Sequence, residues 1–72
     1  MSGHDAMSPE LRYLRSIRNP AKRAYGFDYL NWMDRTAIHE DEPEPKSPTL
    51  SAMARQAVRM RLHAIRNAEG RS

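Results

Sequence analysis

The residues in this chain best suited to chemistry are arginines. Arg55, Arg59 and Arg66 recur at a spacing that puts them within a narrow arc of one helix, and no Asp or Glu lies between Ser51 and Ala68, so they read as a ridge of one sign. A guanidinium offers a planar fork of donors to phosphate oxygens, and several on one ridge can follow a nucleic-acid backbone. The plainer reading is a solvated helix face that is basic for solubility. A second basic group, Arg12, Arg15, Arg18, Lys22 and Arg23, surrounds Asn19-Pro20. It joins the ridge as one positive surface where the fold puts both on the same side. Nucleic acid or a nucleoprotein is therefore the leading partner, bound through a phosphate-dominated contact that weakens steeply with salt.

Other constellations are weighed in the same way. Arg61 falls amid Ala54, Ala57, Ala64 and Ile65 on the expected apolar face of its helix, where a guanidinium needs a partner or must snorkel to the edge. An antiparallel register that aligns Ala21 with Arg66 sets Arg61 opposite Gly26 and within a turn of Asp28, so the expectation is an Arg61–Asp28 pair seated in the space that Gly26 leaves. Tyr25, Phe27, Tyr29 and Trp32 have the composition of a base-stacking platform, but a chain this short needs those rings for its core. Phe27 projects away from the others, and so either meets the first helix or forms a patch for a protein partner or a second copy. His39 beside Glu40, Asp41 and Glu42 has metal-ligand types, yet the neighbouring prolines give no rigid geometry. With no Gly-rich phosphate loop, nucleophile elbow or paired carboxylates on a rigid element, the sequence assigns no catalytic residue, no metal site and no cofactor.

These side chains must be positioned by helices, and three pairs of a capping residue with proline punctuate the chain: Ser8-Pro9, Asn19-Pro20 and Ser47-Pro48. Ser or Asn can accept from a free N–H of the first turn, Pro is preset for the first helical position, and the residue before Pro avoids the α region. The expected helices run over roughly 9–18, 20–38 and 49–68, the third opening at Ser47-Pro48 or else at Thr49 or Ser51, with Gly70 to end it. The second carries Tyr25, Tyr29, Leu30, Trp32, Met33, Thr36 and Ala37 on one face. The third is expected to turn Leu50, Met53, Ala54, Ala57, Val58, Met60, Ala64, Ile65 and Ala68 inward. Between them, 39–48 holds three prolines and four carboxylates and reads as a solvated linker, or as an acidic screen that lies against the arginines. Matched in length at roughly 27 to 30 Å, the second and third helices read as an antiparallel hairpin.

Size and composition bound the rest. A chain of 72 residues makes one domain with a marginal core, here a single helical unit over 8–70, with a flexible leader at 1–7 and a tail at 71–72. There is no Cys, hence no disulfide framework. Leu, Ile, Val and Phe number only 10 of 72, a level found in disordered chains, but a net charge of +3 argues against disorder. No apolar run is long enough for a membrane span and the start lacks a secretory pattern, so the expected location is the cytoplasm. The expectation is thus an all-α, three-helix, non-enzymatic binding protein, whose alternative to a nucleic-acid partner is a protein-interaction module or homo-oligomer acting through exposed apolar residues.

Overall fold

A computed structural model describes residues 7–39 and 41–70, without the side chains of 69 and 70; the expected leader over 1–6 and the tail at 71–72 lie outside them. Three helices form, α1 (Pro9–Arg15), α2 (Pro20–Thr36) and α3 (Ala52–Gly70), and no strand occurs among the described residues. The caps follow from local chemistry. Ser8 Oγ accepts from the Leu11 N–H at 3.2 Å, and Asn19 Oδ1 accepts from Ala21 and Lys22 at 2.9 and 3.1 Å, so each proline sits at the first helical position where its missing N–H costs nothing. The first helix stops at Arg15, short of 18, because Ser16 and Ile17 donate to the carbonyls of Tyr13 and Leu14 in a tightened last turn. Of the three possible starts for α3, Ser51 is the one used, its Oγ accepting from Ala54 at 3.2 Å. Ser47 instead closes a turn with Thr49.

The direction of α3 corrects the expected hairpin. Gly26 packs against Val58, Tyr29 touches His63 and Asp34 pairs with Arg66, so residue numbers rise together along the two helices. α2 and α3 therefore run the same way. α1 runs against both: Glu10 reaches Arg66, Tyr13 stacks under Arg61, and Leu14 meets Gly26. A same-direction pair needs a connection that travels back along a helix. That is the role of the proline-rich segment, which passes Trp32 and Arg35 at Glu42, Tyr29 at Glu44, and reaches Arg55 at Ser47.

The core is Leu14 of α1, Tyr25, Tyr29, Leu30 and Met33 of α2, and Val58 and Leu62 of α3. Gly26 is buried at the junction of the three helices, where a Cβ would meet Leu14 Cδ2 too closely and Val58 Cγ1 at 3.4 Å. Its missing side chain lets the helices approach. The rotation of α3 is the second correction. Met53, Ala57, Met60, Ala64 and Ala68 are exposed, whereas Val58 and Leu62 are fully buried and Ala54 and Ile65 flank them. Branched Val and Leu bury more apolar area per residue than Ala, and the flanking arginines can remain at the edge with their stems covered.

Candidate interaction surfaces

The arginine ridge expected on α3 is not a free surface. Arg55, Arg59 and Arg66 are half-buried and each guanidinium is bonded within the molecule. Arg55 donates to the carbonyls of Ser47 and Leu50 at 3.1 and 2.9 Å, fixing the entry to its own helix. Arg59 pairs with Glu44 at 3.2 Å. Arg66 joins all three helices, its Nε 2.8 Å from Glu10 of α1 and its Nη2 2.8 Å from Asp34 of α2. Burial pulls this guanidinium's pKa down, but the two carboxylate bonds outweigh it and the net shift is upward. All three arginines lie where they do because α3 turns Val58 and Leu62 inward, which brings the flank of that stripe within reach of backbone carbonyls for Arg55 and of carboxylates for Arg59 and Arg66.

The second basic group divides. Arg12, Arg15 and Arg18 are exposed, while Lys22 and Arg23 are half-buried and Arg23 Nη1 donates to the Ile17 carbonyl at 2.5 Å, locking the corner between α1 and α2. Arg61 is exposed, which ends its expected pairing with Asp28: the register behind that pairing assumed the opposite helix direction, and Leu14 and Val58 fill the space beside Gly26. Its Cζ lies 5.7 Å from the centre of the Tyr13 ring in a cation–π contact. Asp28 is exposed as well. Arg12 and Arg61 come together across a shallow depression of about 330 Å³ with Tyr13, Ser16 and Ile65, and among the described residues neither has a carboxylate partner.

The connection between α2 and α3 is a bonded strap, closer to the acidic screen than to a free spacer. Trp32 Nε1 donates to the Glu42 carbonyl at 3.0 Å, and Arg35 grips the Glu42 carboxylate through Nε and Nη2, both at 2.9 Å, a bond that lowers the Glu42 pKa. At its middle, Tyr29 Oη is 2.7 Å from Glu44 Oε2 and 2.8 Å from His63 Nε2. The hydroxyl has one proton, and with Glu44 ionised that proton goes to the carboxylate. His63 must then donate to the phenol oxygen, so its proton is on Nε2. Burial, and next the bond to Glu44, push the Tyr29 pKa up. Thirty-four residues separate His63 from Tyr29 in the chain, and the same-direction packing of α2 and α3 brings them together.

Among the described residues the large apolar side chains left exposed are Ile38, Met53 and Met60. On α3, Met53, Ala57, Met60 and Ala64 are spaced by four, three and four residues, the repeat that forms a seam for another helix. Met53 is 82% and Met60 59% exposed. Phe27 is half-buried against the core and lines an open cavity with Leu11 of α1. Among the described residues no three side chains of His, Asp or Glu gather as metal ligands. Among the described residues no helix is long and apolar enough to cross a membrane. No family model, no curated protein and no solved structure matches the chain, so a reading of function rests on this geometry alone.

Proposed function

We propose that the protein is a non-enzymatic interaction module that docks a helix of a partner protein on the outer face of α3. The observation that carries this reading is the exposure of Met53 and Met60, 82% and 59%, on a helix whose other side already supplies Val58 and Leu62 to the core. A helix apolar on two sides is characteristic of one covered on both. Ala57 and Ala64 would let a second helix approach closely, and the unbranched Met side chains adapt to its contour. Covering each Met stabilises the complex by about 1.5–3 kcal/mol before the cost of association. With Arg61 at one edge of the stripe and Arg12 beyond it, the partner helix carries carboxylates on that edge. The described cavities are open depressions, which also favours binding over catalysis.

A second reading keeps nucleic acid as the partner, and one observation favours it: Arg12, Arg15 and Arg18 are exposed and make no ion pair among the described residues. A pull-down from native lysate with and without nuclease separates the two. The wild type should retain a nuclease-resistant protein that Met53→Lys/Met60→Lys loses and Arg15→Glu/Arg18→Glu keeps. Retention by the methionine variant refutes the α3 reading. Loss on nuclease treatment and in the arginine variant replaces it with the nucleic-acid one. Light scattering across protein concentration tells whether the partner helix is a second copy.

A further inference from the structure

The groove between α1 and α2 has a chemistry that the outer face of α3 does not share. Met7, Leu11 and Arg15 on one side and Arg23 and Phe27 on the other line an open cavity of about 490 Å³. Leu14 of α1 meets Gly26 of α2, and beside that contact Leu11 and Arg15 of α1 share the cavity with Arg23 and Phe27 of α2. Among the described residues no carboxylate lines this cavity. Arg15 and Arg23 bring two positive charges to one cavity with an apolar floor, and an anion placed between them is attracted to both where water screens it less than in bulk. Arg23 is already oriented by its bond to the Ile17 carbonyl, with further N–H donors left over. Arg15 is exposed and makes no hydrogen bond among the described residues. Leu11 and Phe27 are packed on the core and form a fixed apolar wall, to which Met7 adds an adaptable end.

We propose that this groove binds a hydrophobic monoanion, a small-molecule carboxylate whose head lies between Arg15 and Arg23 and whose alkyl or aryl tail runs along Leu11 and Phe27 toward Met7. The pairing of head and tail distinguishes this ligand from a nucleic-acid backbone, which would use the guanidiniums and leave the floor uncovered.

The test is a fluorescence titration of the full chain with anilinonaphthalene sulfonate, an aromatic monoanion, in competition with decanoate, decanol and a short single-stranded DNA. Decanoate should displace the dye at least tenfold better than decanol, the loss of a charged hydrogen bond being a factor of about ten. Arg15→Met, which keeps an apolar stem at an exposed position and is checked by circular dichroism, should weaken dye and decanoate about tenfold. Met53→Lys/Met60→Lys should leave both unchanged, which separates this groove from the α3 face. The proposal is overturned by equal competition from decanol, by an unchanged affinity in Arg15→Met, by loss of the dye signal in the α3 variant, or by displacement with DNA and not with decanoate.

Discussion

Replacing Arg66 by Met asks whether this arginine is an exposed phosphate ligand, as its sequence neighbourhood suggests, or a fastener of the fold. Its Nε is 2.8 Å from Glu10, whose side chain is only 11% exposed, and its Nη2 is 2.8 Å from Asp34, whose side chain is 63% exposed. Breaking a fully buried ion pair from one side costs about 3–5 kcal/mol, because a charge is left without a partner, while an exposed pair is worth about 0–1 kcal/mol. Arg66 itself keeps about a third of its side chain in solvent, 34%, so the Glu10 arm falls between these limits at roughly 2 kcal/mol and the Asp34 arm at the lower one. The expected total is about 2–3 kcal/mol, or a fall in melting temperature of roughly 10–20 °C for a domain of this size. Against a whole stability of roughly 4–10 kcal/mol, that loss is large. Urea unfolding at neutral pH measures it, and a double-mutant cycle with Glu10→Gln should return a coupling of about 1–2 kcal/mol, since Gln keeps an acceptor but removes the charge. Asp34→Asn should cost less than about 0.5 kcal/mol. An Arg66→Met variant within about 0.5 kcal/mol of wild type, the range of ordinary surface changes, would refute the three-helix junction at Arg66.

Two further perturbations probe the core. Gly26→Ala should lower the melting temperature although Ala is the better helix former by about 1 kcal/mol, because the new Cβ meets Leu14 Cδ2, the end of a side chain with no exposure, and overpacking costs about 1–3 kcal/mol; a rise in melting temperature sinks the tight junction. Tyr29 keeps its proton in the folded state at a pH where the unfolded chain, with an ordinary tyrosine value near 10, has lost it. Its contribution is therefore fully present below about pH 10 and fades above it with a slope of up to about 1.4 kcal/mol per pH unit, Tyr13 and Tyr25 being shifted in the same direction. Chemical denaturation at stepped alkaline pH should show a shallower decline for Tyr29→Phe than for wild type, and parallel curves would count against a buried, carboxylate-bonded hydroxyl.

How much of this was legible in the sequence depends on the range of the interaction. Ser8, Asn19 and Ser51 announce helix starts because a cap is settled within three residues of itself. The direction of α3 is settled by a long-range choice, yet a signal for it was present. Ala37 to Ser51 is far longer than the few residues that join antiparallel neighbours, and extended at about 3.3 Å per residue it spans the whole of α2 with room to spare. Length alone allows a return path, and the anchors for one are written nearby: Trp32 and Arg35 for Glu42, Tyr29 and Arg59 for Glu44. Once the direction was reversed, the register that joined Arg61 to Gly26 and Asp28 had nothing to rest on.

The rotation of α3 was harder to read, for a reason that bears on function. Its sequence contains two apolar stripes, one through Val58, Leu62 and Ile65 and another through Met53, Ala57, Met60 and Ala64, and periodicity alone weighs them alike. The decision belongs to the neighbours. Leu14 and Tyr29 offer a floor for branched side chains, while Glu10, Asp34 and Glu44 stand where only the flanks of the Val58–Leu62 stripe bring arginines to meet them. Each arginine that reaches such a carboxylate holds the Met and Ala side outward. The ion pairs of Arg59 and Arg66 thus also set the rotation that leaves Met53 and Met60 exposed, so the bonding of one side of α3 and the exposure of the other are a single structural event.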